Sequence, residues 1–260
     1  FFHSYYYNII YIAMNKKLQV LKVKDKHDSF HIRKKLFDLP LSLLVVGKSQ
    51  LSGKSNFLVW LLASKQAGYI NDFLGENVYI ISPSYTNDNK LKILTRQLDI
   101  PRSNIIDQFD ERVIEGIYEE VEEQYEEAEE EGKKPPQSLI IFDDVSFDKD
   151  FKKSKIVEKI FSNGRHILLS TIVTAQTYTS ISTSARENSK ALVLYDCSDR
   201  QLERIAFDHS PIKMKDFKKK FRQAASQRKH TFMCINYSNP NKDRFLNSNF
   251  ESIDMYDSDK

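Results

Sequence analysis

The chain has 260 residues, with 39 Lys+Arg against 36 Asp+Glu for a net charge of +3, 40% hydrophobic residues and a mean hydropathy of −0.51. Seven Gly and seven Pro exclude a collagen-like or linker chain, and 17 Phe and 13 Tyr with so small a net charge argue against disorder. Cys197 and Cys234 form no C-x-x-C pair, which excludes a disulfide scaffold and fits a reducing compartment.

The first 13 residues, FFHSYYYNIIYIA, are apolar and aromatic but shorter than the ~20 residues a membrane helix needs. With the first Met at position 14, they read as an over-extended reading frame or a fragment, the alternative being an anchor or interaction peptide, and no stable membrane insertion is expected. Eight Lys/Arg follow between Lys16 and Lys35 against Asp25 and Asp28. Residues 1–35 are therefore taken as a leader, 36–250 as one α/β domain and 251–260 as a tail.

Along the domain, strands and helices alternate. Leu41–Val46 is a continuous apolar run, as in a strand buried on both faces, and a helix is expected over Lys54–Gln66. Val78–Ser82 is a second strand and Asn87–Leu98 a helix. Eleven Glu fall between Glu111 and Glu131, and Val113, Ile117, Val121, Tyr125 and Ala128 mark one stripe of an acidic surface helix ended by Gly132 and Pro135-Pro136. Strands are expected at Ser138–Phe142, Ile167–Thr174 and Ala191–Tyr195, and helices at Lys155–Phe161, Asp199–Phe207 and Met214–Ser226. A last strand with period-2 alternation covers His230–Tyr237. This order implies a mostly parallel sheet with helices on both faces. The 213–229 stretch holds eight Lys/Arg against Asp216; it is either a solvated face or a contact for phosphate backbones, with Phe217 and Phe221 anchoring a helix in the core.

Gly47-Lys48-Ser49-Gln50-Leu51-Ser52-Gly53-Lys54-Ser55 lies between the first strand and the first helix. That is the setting of a phosphate loop, where backbone N–H groups and the helix N-terminus cradle phosphates. Lys54 would reach the β- and γ-phosphates and Ser55 would bind Mg²⁺. Gly47, Ser52, Gly53, Lys54, Ser55 and Asn56 form the expected ATP-binding set. The spacing departs from G-x-x-x-x-G-K-[ST]: either the loop is one residue longer or Lys48 replaces the first Gly.

Leu139–Phe142 runs into Asp143-Asp144, placing two carboxylates at the carboxyl end of a strand, one for Mg²⁺ and one to take a proton from water. The strand that ends in Thr174-Ala175-Gln176 would bring Gln176 to the γ-phosphate or attacking water. Arg165 and Arg186 are candidate phosphate-sensing arginines. The strand order fits ATPases that activate water with an added acid, within the P-loop NTPase class.

Taken in order, VVGKSQLSGKSNFL, YIISPSY, LIIFDDV, NGRH, STIVTAQ and ARENSKALVLY resemble the DNA-packaging ATPases of poxviruses, other large DNA viruses and virophages, within the FtsK–HerA superfamily. The resemblance spans about residues 38–250. It implies an ATP- and Mg²⁺-dependent motor, a homo-oligomeric ring, that moves double-stranded DNA into a capsid, with capsid or portal components as partners. It implies an intracellular site of virion assembly. Motif by motif, it makes Asp143 the metal acid, Asp144 the catalytic acid, Gln176 the sensor, and Arg186, then Arg165, the arginine supplied in trans. The competing readings are a cellular translocase, helicase or nucleotide kinase, and a nucleotide-binding scaffold without turnover.

Overall fold

The computed structural model of the chain describes residues 36–48, 52–145, 148–225 and 229–255. Strand β1 (Ser42–Val46) leads through the glycine-flanked loop into α1 (Lys54–Ala63). Then come β2 (Val78–Ile81), α2 (Asn89–Gln97), the two-residue β3 (Ile105–Ile106) and the acidic α3 (Glu111–Glu130). After them run β4 (Ser138–Asp143), α4 (Lys149–Lys153), α5 (Lys155–Asn163), β5 (Leu169–Ala175), α6 (Thr183–Glu187) and β6 (Ala191–Leu194). Helices α7 (Asp199–His209) and α8 (Met214–Ala225) precede β7 (Met233–Asn236) and β8 (Phe245–Leu246).

The strands form one sheet in the order β3-β2-β4-β5-β1-β6-β7-β8. The six from β3 to β6 are parallel, and β7 and β8 join antiparallel. Alternate residues of each strand enter opposite layers. Leu43, Val45, Ile80, Ile141 and Ile172 pack with α1 and α2, while Leu44, Val46, Ile81, Phe142 and Val173 pack with α3, α5, α7 and α8. Both faces of the sheet are covered, which explains why the strands read as unbroken apolar runs.

Several expectations change in detail. The first helix stops at Ala63 rather than Gln66 because Ser64 is extended and its hydroxyl accepts the N–H of Ala67 instead. In α3 the buried stripe is Ile114, Ile117, Tyr118 and Val121; Val113 is 42% exposed, and nothing beyond Val121 is buried. The last long strand is shorter and buried on both sides rather than alternating, because Met233 and Ile235 join the α8 layer while Cys234 joins the α1 layer. Phe217 and Phe221 are fully buried, as expected. The chain past Phe250 returns to β8, where the Ile253 N–H donates to the Phe245 carbonyl and Met255 is buried. The aromatic leader and the Lys16–Lys35 block lie outside the described residues. Among the described residues, no helix is long and apolar enough to cross a membrane.

Candidate functional site

Strand β5 lies between β1, which leads to the phosphate loop, and β4, which ends in Asp143. Register then dictates the site. Ile81 pairs with Phe142 and Asp143 with Thr174, so Ser82, Asp143 and Thr174 stand level at the carboxyl ends of three neighbouring strands. Period-2 alternation turns all three toward the α1 layer.

Asp143 is 2% exposed and receives three hydroxyl donors. Thr174 Oγ1 donates to Oδ1 at 2.6 Å; Ser82 and Ser84 donate to Oδ2 at 3.0 and 3.4 Å. Burial raises its pKa above the usual carboxylate range, and the Thr174 hydrogen bond opposes that shift. Thr174 Oγ1 also accepts the Asp144 N–H at 3.1 Å. This bond pins a backbone kink: Asp144 has φ 53°, a left-handed conformation that Asp tolerates better than most residues. The kink turns Asp144 toward Lys54, whose Nζ is 3.9 Å from Oδ1. That distance is a Coulombic contact rather than a hydrogen bond, and buried Oδ1 has no hydrogen-bond partner.

Lys54 is 7% exposed and donates to the Gly47 carbonyl at 2.9 Å. Burial lowers its pKa, opposed by Asp144 and then Asp143. Gly53, at φ 92°, caps α1 in a conformation that only glycine adopts readily, and a Cβ there would lie 2.9 Å from His230 Nδ1. A Cβ at Gly47 would lie 2.6 Å from Ser52 Cβ and 2.7 Å from Tyr195 Cβ. The steric demand for glycine thus falls on position 47, while Lys48 is exposed and only 3.8 Å from Asp196 Oδ2. Ser52 closes the loop by donating to the Lys48 carbonyl at 2.9 Å. Ser55, at the start of α1, donates to Asp88 Oδ2 at 2.9 Å, and Asn56 beside it is exposed.

The register Val46–Ala175 carries Gln176, the residue just past β5, level with Gly47. Lys54, Ser55, Asp143, Asp144 and Gln176 therefore gather at one end of the sheet. Arg165 and Arg186 do not join them. They line a cavity of about 710 Å³ at the amino ends of β1, β5 and β6, with Lys190, Tyr178, Asp208 and His209. Arg165 lies in an exposed turn before β5. Arg186 is 7% exposed, bonded to Asp208 at 3.2 Å and Thr183 at 3.0 Å, with its guanidinium 4.7 Å from the Tyr178 ring centre.

Ser55 and Asp143 supply hard oxygen donors suited to a divalent cation. Among the described residues, no three Asp, Glu, His or Cys side chains form a cation site unaided. That sparse set matches Mg²⁺, which usually takes one or two carboxylates and fills its octahedron with phosphate oxygens and water. Thr174, Ser82, Ser84 and Asp88 escape a reading of the sequence alone. For Ser82 and Thr174 the one signal is a polar residue directly after an apolar run, which gains meaning only once the strand order is known; Ser84 and Asp88 lack even that.

The model for the poxvirus A32 protein family matches residues 28–239. No curated protein matches the chain in sequence. Among solved structures, the fold is similar to the genome packaging NTPase B204 of Sulfolobus turreted icosahedral virus 2. Its complex with ATP-gammaS gives a TM-score of 0.50 at 13% identity, covering 76% of this chain and 93% of that one. Its complex with AMP gives 0.52 at 13%, covering 76% and 94%. EssC from Geobacillus thermodenitrificans aligns over 67% of this chain and 35% of its own at 16% identity, with a TM-score of 0.47. With the mostly parallel sheet, the phosphate loop and the paired acids in place, a family match over most of its length identifies the chain as a member of the poxvirus A32 protein family of viral genome-packaging ATPases.

Proposed function

We propose that this ATPase is a Mg²⁺-dependent motor that drives double-stranded viral DNA into capsids as a homo-oligomeric ring, docked on capsid or portal components at an intracellular assembly site. The observation that carries the reading is the convergence of Lys54, Asp143 and Asp144 beside the phosphate loop, with β5 between the loop strand and the acid strand.

In this reading the Lys54 ammonium exchanges the Gly47 carbonyl for β- and γ-phosphate oxygens. Asp144, whose Oδ1 has no hydrogen-bond partner, accepts a proton from the attacking water. Water oxygen bonds to the γ-phosphorus, the bond to the β–γ bridging oxygen breaks, and ADP and phosphate leave. Gln176 orients the water. Ser55 and Asp143 would hold Mg²⁺, which when bound would supply charge neutralisation on the phosphates. Of the two arginines, Arg165 is the one available to a neighbouring subunit, because Arg186 is buried on Asp208. Its exposure favours Arg165 over Arg186, which the resemblance puts first.

The test is the ATPase rate with and without duplex DNA, measured with the oligomeric state. A motor hydrolyses ATP with Mg²⁺, is stimulated by duplex DNA and assembles into closed rings. Folded protein with no turnover in the presence of DNA overturns the reading, and phosphate transfer to a nucleoside monophosphate points to a kinase instead.

A further inference from the structure

Asp88 lies in neither the phosphate loop nor the acid strand. It stands in the loop after β2, 33 residues from Ser55, yet its two oxygens have separate duties. Oδ1 accepts the N–H groups of Lys90 at 2.7 Å and Leu91 at 3.2 Å, capping α2. Oδ2 accepts the Ser55 hydroxyl at 2.9 Å. The loop is itself braced on the acid strand: the Asp88 N–H donates to the Ser84 carbonyl at 3.0 Å, and the Ser84 hydroxyl donates to Asp143.

A serine that ligates a cation does so through an oxygen lone pair, and its O–H proton must then find an acceptor elsewhere. Asp143 is poorly placed for that task, since Thr174, Ser82 and Ser84 already donate to its oxygens. Asp88 accepts that hydrogen bond instead and leaves the Ser55 lone pairs free. The geometry points to Asp88 as a positioning residue of the magnesium–nucleotide site, one that aims Ser55 at the cation and ties that aim to the start of α2. The inference rests on the reading of Ser55 as the Mg²⁺ ligand given above.

Asp88→Asn tests it with little change of shape. Asparagine caps helices as well as aspartate, so Oδ1 keeps α2 in place. Its amide nitrogen, however, faces Ser55 as a donor and occupies the lone pair meant for the cation. Three readouts are taken: Mn²⁺ affinity of the protein–ATPγS complex by electron paramagnetic resonance, ATPγS affinity in EDTA, and thermal midpoint. Mn²⁺ affinity should fall about 10- to 100-fold, the usual effect of losing a group that orients a metal ligand. Affinity in EDTA and the midpoint should stay near wild type. In a Ser55→Ala background, Asp88→Asn should cause no further loss of Mn²⁺ affinity. Asp88→Ser keeps a cap but is too short to reach Ser55, so it should reproduce the metal defect if the asparagine variant folds poorly. Wild-type Mn²⁺ affinity in Asp88→Asn, an equal loss in EDTA, or an undiminished loss in the Ser55→Ala background overturns the inference. If the wild-type protein itself shows no metal-dependent ATPγS binding, the fault lies with Ser55 as the metal ligand, and the role of Asp88 falls with it.

Discussion

Two carboxylates, Asp144 and Asp208 at opposite ends of the parallel sheet, are held in opposite ways. At the carboxyl end, Asp144 sits on a left-handed backbone, with Oδ1 buried, unbonded and 3.9 Å from Lys54. At the amino end, Asp208 receives Arg186 at 3.2 Å, Arg204 at 3.1 Å and the Tyr178 hydroxyl at 2.9 Å. Both are carboxylates beside a buried cation. One is held short of its partner and the other is saturated. A buried polar atom without a partner loses about 1–3 kcal/mol relative to a satisfied one, so an acid left in that state is poised for a ligand, whereas a saturated one holds the fold together.

The contrast can be broken most severely at Lys54. Lys54→Ala removes the cation proposed to meet the phosphates, and it should abolish measurable ATPγS binding in equilibrium titrations; binding within tenfold of wild type would mean that the loop amides alone hold the nucleotide. Asp144→Asn should retain binding while lowering turnover by about 10²–10⁴, the usual contribution of a positioned acid or base. Single-turnover phosphate release measures this. Near-normal hydrolysis would move the proton acceptor elsewhere.

Much of this end is legible in the amino-acid sequence. The glycine-flanked loop between strand and helix and the Asp143-Asp144 pair are local patterns, set within a few residues of one another. Thr174 and Ser82 are not legible in that way, because their contacts come from strand adjacency across the sheet: β2, β4 and β5 are neighbours although α2, α3 and α5 intervene in the chain; the Asp88–Ser55 contact comes from the meeting of α1 with the start of α2. The two-residue strands β3 and β8 escape notice because they are too short to show a period. The arginines are the reverse case. Both have a plausible motif, and only tertiary packing separates the exposed Arg165 from the buried Arg186.

Arg186→Ala probes the saturated end. Removing one partner of a buried ion pair costs about 3–5 kcal/mol, and Arg204, which still reaches Asp208, pulls the effect toward the lower figure. Thermal or urea unfolding should register this loss, while ATPγS affinity of the folded protein stays unchanged. Preserved stability with lost turnover would instead show Arg186 acting across a subunit boundary.

His209 gives the same end a pH signature. Tyr178 and Tyr237 flank its ring, and burial depresses its pKa from 6.5 to about 4, with Asp208 opposing and Arg186 reinforcing the shift. Between those values the unfolded chain binds a proton that the folded one refuses, so stability rises with pH through that window. The contribution is fully present above about pH 6.5 and is lost as pH falls toward 4, on the order of 3 kcal/mol in all. Urea midpoints across this range, compared with His209→Gln, should show a shallower decline in the variant. Parallel curves would mean that His209 titrates normally.

The smallest effects belong to the basic face of α8, where local pairing again decides which charges are available. Lys218 is bonded to Glu203 at 2.7 Å, Arg222 to Asp199, and Lys220 to the Asp254 carbonyl. Lys213, Lys215 and Lys219 are exposed and make no ion pair among the described residues. If this face touches duplex DNA, reversing those three to Glu should weaken binding and flatten the slope of log K against log salt by about 0.9 for each phosphate no longer neutralised. Reversing Lys218 and Arg222 should leave the slope nearly unchanged and loosen the packing of α7 on α8, lowering the thermal midpoint. Equal slopes in both variants and the wild type would make α8 a solvated face.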